Sequence, residues 1–365
     1  MPTDDGTSGP KAPPIDPSIL RQEIGEQPEV LARVLERERA NVARLSTRWR
    51  RSEINFLTIV ARGSSDNAAT YAKYMFGALA DLSVVLAAPS LYTLYGAEPN
   101  LAHSVVLAIS QAGESPDILA VVDSAKKQGA PTVAITNSPN STLAKSADDV
   151  ILLHAGEERS IAATKTFTAS LGAFALLGAA WLGAKISYLD ELLAMPELME
   201  KAIKVEQGVK SLAHTLEPVS HYAVIGRGFN YSAAFEVALK MKELAYVAAE
   251  PYSSADFLHG PVAMVDEKLH ALVIAPTGRA HASAMDFARA IRQKGGRIIG
   301  ITDSPEFIAL SDMAVRVPEA PEWLSPLLTV MPGQLLALHL ARAKRYDIDR
   351  PRGLKIGRAS CRERV

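Results

Sequence analysis

The stretch that decides the fold is residues 104–128, "SVVLAISQAGESPDILAVVDSAKKQ". Its first six residues are a short apolar run that predicts a buried strand, and the apolar spacing after Pro116 predicts an amphipathic helix. Between the two lies a polar turn, "SQAGES" (residues 110–115). A strand that leads through such a turn into a helix is typical of the carboxyl edge of a parallel sheet, where ligands bind.

The same alternation of apolar runs and amphipathic stretches continues on both sides. The runs are "INFLTIVA" before this stretch and "PTVAITN" and "DDVILLH" after it. Such alternation predicts parallel strands joined by crossover helices on both faces of a sheet. Residues 18–50 have apolar residues at helical spacing, and we expect Pro28 to separate a short helix from a long one. The most apolar stretch, residues 170–184, is too short to span a bilayer comfortably and predicts a buried helix.

An internal repeat organises most of the chain. The segment "ARGSSDNAA" from Ala61 returns as "GRGFNYSAA" from Gly226, an offset of 165, and "AITNSP" from Ala134 returns as "GITDSP" from Gly300, an offset of 166. Because the register holds, the sequence predicts two copies of one α/β domain that face each other. The predicted fold class is α/β, with two tandem domains that are each a mostly parallel, doubly wound, flavodoxin-like sheet flanked by helices.

We predict five segments in this chain of 365 residues. They are a disordered arm (1–17), N-terminal helices (18–50), a first domain with a phosphate site (51–200), a second domain with a catalytic helix (201–350) and a C-terminal tail (351–365).

Composition narrows the function classes. The formal net charge is −1, which argues against a broad basic surface for nucleic acid. The single cysteine, Cys361, leaves no intramolecular disulfide and no cysteine metal cluster. The N-terminus lacks the pattern of a signal peptide. We therefore expect a cytoplasmic protein that binds small molecules or other protein chains, without nucleic acid, membrane, metal or cofactor.

Two serine-rich turns predict an anion site in the first copy. "RGSSDN" and "SQAGES" each follow a strand and open a helix, where backbone N–H groups and the helix dipole favour an anion. Hydroxyls of Ser65, Ser110 and Ser115 add donors, so a phosphate fits. A single serine there can simply cap a helix, but two such turns in one domain favour binding. The second copy has "APTGRA" (275–280) instead, so we predict one phosphate site per chain.

Several motifs resemble those of sugar isomerase (SIS) domains. "SQAGES" resembles the phosphate loop Ser-Gln-Ser-Gly-Glu-Thr, and "ERSIAATKTF", "ALKMKELAYVAAEPY" and "HGPVAMV" are similar to segments of the isomerase half of glucosamine-6-phosphate synthases. The similarity covers about residues 20–354. It implies that the 6-phosphate of a hexose phosphate is bound by Ser65, Ser110, Gln111 and Ser115, supported by Gly63, Ser64 and Gly113. Ala112 and Ala163 stand where the family carries polar residues, so two donors are missing.

The catalytic candidates come from the second copy. Lys240 and Glu243 are three residues apart and share one helical face. Without further context such a pair is more often an ordinary solvent-exposed ion pair. The resemblance implies instead that Glu243 is the base that moves a proton between C1 and C2 of the sugar, with Lys240 beside it. It also implies that His259 opens the sugar ring from a neighbouring subunit, and hence a homodimer.

Three more residues match family positions, and we assign them supporting roles. They are Lys165, Lys242 and Glu250.

The predicted reaction follows from a missing partner domain. No segment resembles the glutaminase domain that supplies ammonia in the synthases, and "LRQEIGEQPEVLARVL" resembles stand-alone SIS-type glucosamine-6-phosphate deaminases. We expect conversion of glucosamine 6-phosphate and water to fructose 6-phosphate and ammonia. Leu258 stands where the synthases carry lysine. An alternative function, a deaminase or isomerase that acts on a galactosamine or fructosamine phosphate, therefore remains open. A non-catalytic sugar-phosphate sensor is a third alternative.

The tail "KIGRASCRERV" departs from the resemblance, which stops at Leu354. We expect the residues from about 355 onward to be non-native, because they match the translation of a common sequencing adapter. The alternative is a divergent tail in which Lys355 takes the place of the family's closing lysine.

Overall fold

The computed structural model describes residues 18–52, 54–183 and 188–352. The predicted arm at residues 1–17 and the predicted non-native tail, including Lys355, lie outside the described residues.

The first sheet has five parallel strands in the order β2-β1-β3-β4-β5. These strands are β1 (Phe56–Val60), β2 (Ser83–Leu86), β3 (Ser104–Ile109), β4 (Thr132–Thr136) and β5 (Asp149–Leu152). The helices around them are α1 (Ile19–Arg50), α2 (Ser64–Leu79), α3 (Ser90–Thr93), α4 (Pro116–Lys127), α5 (Thr142–Ser146) and α6 (Lys165–Leu182). Strand β3 is fully buried, as its continuous apolar run predicts.

The second sheet repeats this topology. Its order is β10-β9-β8-β6-β7, which mirrors the first sheet strand for strand. The strands are β6 (His221–Gly226), β7 (Ala248–Ser253), β8 (His270–Ile274), β9 (Arg297–Thr302) and β10 (Met313–Arg316). The helices are α7 (Tyr188–Leu193), α8 (Met195–Ile203), α9 (Glu206–Thr215), α10 (Asn230–Ala245), α11 (Ser254–Leu258), α12 (His281–Gln293), α13 (Pro305–Leu310) and α14 (Pro326–Ala343), with a 3-10 helix at Pro261–Met264. The flavodoxin-like fold class is confirmed.

Helix α1 corrects the prediction that Pro28 breaks the chain into two helices. The helix is continuous, with Pro28 buried inside it. A proline removes the N–H that would bond to the carbonyl four residues earlier, here that of Ile24. The side chain of Gln27 supplies the missing donor, with Nε2 at 3.0 Å from the Ile24 carbonyl oxygen. Burial of Val30 and Leu31 on the next turn adds packing that holds the helix together.

Strand β2 was missed in the sequence. It lies at the edge of the first sheet and is only four residues long, with exposed and half-buried residues in alternation. Its run "VVLAA" (residues 84–88) is as apolar as those of the other strands of this sheet, so the signal was present in the sequence and was not recognised.

The two sheets share one hydrophobic core. Helices α6 and α14 are almost entirely buried, and α10 packs against both α2 and α14. Among the described helices, α6 alone is long and apolar enough to cross a membrane by length and composition, and 83% of it is buried inside the protein. The prediction of a buried helix there holds. Because α2 and α10 belong to different sheets, their contact brings the two copies face to face.

Candidate functional site

A cavity of about 330 Å³ lies at the carboxyl ends of β1 and β3, closed on one side by α10. It brings together most of the predicted site. The predicted residues that line it are Gly63, Ser64, Ser65, Ser110, Gln111, Ser115, Lys240 and Glu243. Ala112 and Ala163 also line it, at the positions where two donors were expected to be missing.

The turn after β1 leads into α2, and the residues at the start of this helix line the cavity. Its glycine, Gly63, adopts φ +58°, a left-handed conformation that side chains other than glycine rarely adopt. Gly228, its counterpart in the repeat, has φ +61°. This shared requirement explains why both copies carry "RG" at this point. No side chain caps α2, and Gly63, Ser64 and Ser65 at its start line the cavity.

The turn after β3 is held in shape by its own side chains. The Ser110 hydroxyl accepts a hydrogen bond from the Gly113 N–H at 3.0 Å. Gly113 has φ +70°, and a Cβ there would lie 2.2 Å from Oγ of Ser141. Gly113 therefore supports the turn from behind rather than lining the cavity. Ser115 precedes α4, yet its side chain makes no capping hydrogen bond. The interpretation of Ser115 as a mere helix cap thus fails.

Lys240 and Glu243 form a buried ion pair on α10. Nζ of Lys240 lies 2.6 Å from Oε2 of Glu243 and 3.4 Å from Oε1 of Glu236. The Lys240 side chain is 1% exposed and that of Glu243 is 23% exposed. Burial disfavours the charged ammonium, but the two carboxylates outweigh it and hold the pKa of Lys240 above its ordinary value. The pair is therefore not the ordinary surface contact that the spacing alone would suggest.

Glu236 is a site residue that the sequence analysis missed. It is fully buried and accepts hydrogen bonds from Oγ of Ser64 at 3.0 Å and from Nδ2 of Asn67 at 2.8 Å. Burial raises its pKa, against the opposing charge of Lys240. Glu236 thus ties the helix of the phosphate turn, α2, to the helix of the ion pair, α10. Its spacing of four residues from Lys240 was the signal that could have revealed it.

Four predicted residues lie away from this cavity. The ammonium of Lys165 is buried and held by Glu26 at 2.6 Å and by the carbonyl of Glu157 at 2.7 Å. Lys242 and Glu250 are exposed, on α10 and β7 respectively. His259 is exposed directly after α11 and does not line the cavity of its own chain.

The first turns of α6 contribute polar groups that the sequence analysis did not single out. Thr166 and Ser170 line the cavity. The Thr166 hydroxyl donates to the buried carboxylate of Glu158, which also accepts the N–H groups of Thr164 and Thr166. Burial raises the pKa of Glu158, and these hydrogen bonds oppose the rise. The carboxylate fixes the start of α6 from outside the cavity.

The equivalent turn of the second sheet already holds an anion, the carboxylate of Glu322. It accepts the N–H of Arg279 at 2.8 Å and that of Ala280 at 3.0 Å. These residues are the repeat counterparts of Glu114 and Ser115, at the start of α12. A larger cavity, about 910 Å³, lies beside them and is lined by Arg279 and Trp323 among others. An occupied turn supports the prediction of one phosphate site per chain.

The described part of the chain shows no cluster of metal-ligating side chains. Within the part of the chain that the structure describes, no group of three or more His, Cys, Asp or Glu side chains is placed to hold a metal ion.

A comparison with known protein families identifies this fold of two facing parallel sheets. The SIS domain matches residues 53–180 and 215–343, and the chain belongs to the SIS domain family. It carries two tandem copies of that domain.

Individual relatives place the chain within the family. It is 36% identical over 356 residues to a glutamine–fructose-6-phosphate aminotransferase of Brucella abortus, covering 92% of this chain and 58% of the relative. The C-terminal domain of glucosamine-fructose-6-phosphate aminotransferase from Francisella tularensis superposes with a TM-score of 0.84 at 27% identity, covering 92% of this chain and 98% of that one. A phosphosugar isomerase candidate from Silicibacter pomeroyi gives 0.82 at 33%, covering 91% and 100%.

The chain spans about three fifths of the length of the aminotransferase, 58%. It is homologous to the isomerase part of these enzymes.

Proposed function

We propose that this protein is a hexosamine-phosphate deaminase and isomerase that converts glucosamine 6-phosphate and water to fructose 6-phosphate and ammonia. One observation carries the proposal. The Lys240–Glu243 pair faces the same cavity as the two serine turns, so a sugar phosphate bound at the turns reaches the pair.

The binding half of the proposal rests on donors without acceptors. Helix starts α2 and α4, with hydroxyls of Ser65, Ser110 and Ser115, offer hydrogen bonds to a phosphate at one end of the cavity. A volume of about 330 Å³ is of the size that small-molecule ligands occupy. Glu243 lies on a different element, on α10, and faces the rest of the ligand.

The chemical half of the proposal is proton transfer. In the open-chain aminosugar, the Glu243 carboxylate removes the proton from C2 and delivers it to C1, while one proton passes from the amino nitrogen to O1, which converts the 2-amino aldehyde into a 2-imino alcohol. The Lys240 ammonium stabilises the negative charge that develops on O1 during this transfer. Water then adds to C2, and the C2–N bond breaks to release ammonia, leaving the ketone of fructose 6-phosphate. No oxidant or reductant is consumed.

We also propose that the active unit is a homodimer in which His259 of one copy completes the cavity of the other. His259 is exposed and outside the cavity of its own chain, as such a role requires. Ring opening needs a group that moves a proton between O1 and O5, and an imidazole does this near neutral pH.

A related sugar phosphate is the second candidate substrate. Leu258, next to His259, is 37% exposed, whereas the synthases carry lysine at this position. An apolar group in place of a charge changes what the pocket wall can recognise. A galactosamine 6-phosphate or a fructosamine 6-phosphate would meet the same phosphate turns and the same ion pair.

A panel of amino-sugar phosphates tests the proposal. Ammonia release is measured with glucosamine 6-phosphate, galactosamine 6-phosphate and fructosamine 6-phosphate, together with binding of each by calorimetry. We expect turnover with at least one of them and the highest rate with glucosamine 6-phosphate. Binding without any turnover would identify a sensor instead. If none of the three sugar phosphates binds and none is turned over, the proposal of a sugar-phosphate site is refuted.

A further inference from the structure

Most of the charged side chains that line the cavity already have partners within the chain. Four charged side chains line it, two cationic and two anionic: Arg62, Lys240, Glu114 and Glu243. Lys240 is paired with two carboxylates, and Glu114 is bound by the N–H and hydroxyl of Thr142 at 3.0 and 2.6 Å. Among the lining residues that the structure describes, Arg62 is thus the one cation not committed to the catalytic pair.

Arg62 sits where a phosphate would bind. It directly precedes Gly63 and the start of α2, and it forms an ion pair with Asp117 in the first turn of α4. The pair therefore bridges the two phosphate turns. The Arg62 side chain is 44% exposed and that of Asp117 20%. Asp66 is also close, since the guanidinium opposes the rise in the pKa of Asp66 that burial causes.

The contact with Asp117 is weak enough to exchange. An ion pair with this exposure contributes on the order of 0–1 kcal/mol. A phosphate monoester dianion carries more charge than a carboxylate and accepts two parallel hydrogen bonds from a guanidinium. In the second copy, the counterpart Arg227 donates to the neutral hydroxyl of Ser283 at 2.7 Å, so the arginine itself does not require a carboxylate partner there.

We propose that Arg62 is the charged ligand of the phosphate, exchanging Asp117 for the phosphate when a sugar phosphate binds. This inference rests on the proposed function, because it assigns the residue that selects phosphorylated over free sugars. The other phosphate donors of the cavity are hydroxyls, an amide and backbone N–H groups, which are neutral. Arg62 would supply the full positive charge that a dianion favours.

A purely structural role makes a different prediction. If Arg62 only staples the two turns together through Asp117, then removing either partner damages the site equally. If Arg62 binds the phosphate, removing Asp117 leaves the arginine free and does no harm to affinity.

The experiment measures binding of fructose 6-phosphate, inorganic phosphate and fructose to the full chain at low salt. Variants are Arg62→Met, which keeps the apolar stem, Arg62→Lys and Asp117→Asn. Arg44→Met, which removes an exposed arginine of α1 paired with Asp149, is the matched control. Unfolding midpoints of all variants establish that each is folded.

We expect Arg62→Met to weaken the binding of fructose 6-phosphate and of inorganic phosphate by about 10- to 100-fold. Arg62→Lys should recover part of the loss, and Asp117→Asn should bind as tightly as the wild type or more tightly. Equal losses in Arg62→Met and Asp117→Asn, or no loss in Arg62→Met, would overturn the inference while leaving the proposed function intact. Failure of the wild type itself to bind either sugar phosphate or phosphate would instead refute the proposed function.

Discussion

At the residue scale, the role of Glu243 follows from its neighbours. Its carboxylate faces the cavity, and its one close partner in the ion pair is an ammonium that cannot accept the proton of the sugar. Replacement by glutamine keeps the shape and removes the base. We expect turnover of Glu243→Gln to fall by about 10²- to 10⁴-fold with a normal unfolding midpoint, measured as ammonia release.

A matched substitution separates this from a general effect of charge. Glu200 is exposed on α8, far from the catalytic helix in sequence, and Glu200→Gln should keep wild-type turnover. Near-normal turnover in Glu243→Gln would show that another group moves the proton.

Ser110 should act on binding rather than on chemistry. Its hydroxyl lines the cavity and also accepts the Gly113 N–H, so the side chain both shapes the turn and offers a donor. Loss of a hydrogen bond to a charged phosphate costs about 1–3 kcal/mol. Ser110→Ala should therefore weaken the binding free energy of fructose 6-phosphate by that amount, seen as a higher dissociation constant. Turnover at saturating substrate should stay close to that of the wild type. An unchanged dissociation constant would place the phosphate elsewhere.

The sequence predicted the residues that line the cavity better than the residues that hold the lining in place from outside it. Ser65, Ser110 and Gln111 follow strands directly, so their position at the carboxyl edge could be read from local pattern. Glu236 follows no strand, and its partners Ser64 and Asn67 lie about 170 residues away in the chain, on the facing copy, so its spacing of four residues from Lys240 was its one local signal. Lys165 has a motif-matched position, but its ammonium is taken up by Glu26 and Glu157 outside the cavity.

At the element scale, four of the five strands of the first sheet were predicted, whereas strand β2 and the continuity of helix α1 were not. Buried parallel strands such as β3 and β4 are continuous apolar runs, and that signal is strong. Helix α1 continues through Pro28, although proline usually ends a helix, because the side chain of Gln27 donates a hydrogen bond to the carbonyl that Pro28 leaves without a donor. Such a compensation is a side-chain contact and leaves no periodic trace in the sequence.

Glu322 gives the element scale its own prediction. Removing its carboxylate in Glu322→Ala leaves the N–H groups of Arg279 and Ala280 without their acceptor at the start of α12. We expect a loss of about 1–3 kcal/mol in the free energy of unfolding, part of which inorganic phosphate restores by binding in place of the carboxylate. Denaturant unfolding with and without phosphate, beside the wild type, measures both effects.

Glu319→Ala is the control, since Glu319 is exposed shortly before the same segment. The same phosphate-dependent gain in Glu322→Ala and in the wild type would contradict the idea that this turn is an anion site that the chain fills itself.

At the scale of the whole molecule, the repeat predicted two facing copies, and the structure shows how they divide the work. The first copy provides the two serine turns of the cavity, and the second provides α10 with the ion pair. In the second copy's own turn the chain has placed Glu322, and on α2 the counterparts of Lys240 and Glu243 are Met75 and Ala78. Only one of the two equivalent edges therefore combines free donors with acid–base groups.

The proposed dimer gives a test by complementation. His259→Ala and Glu243→Gln should each be nearly inactive alone. If His259 acts across the interface, subunits of the two variants that are unfolded and refolded together should recover about a quarter of wild-type activity, because half of the dimers are mixed and each mixed dimer has one complete site. No recovery in a mixture that forms dimers would place both residues in the same chain's site.

The central claim is that this cavity performs aldose–ketose proton transfer on an aminosugar phosphate. The most direct measurement is a time course of glucosamine 6-phosphate with the wild-type chain, in which ammonia and fructose 6-phosphate are quantified in the same samples. We expect the two products to accumulate in equal amounts as the substrate disappears. Binding of glucosamine 6-phosphate with no formation of either product would contradict it.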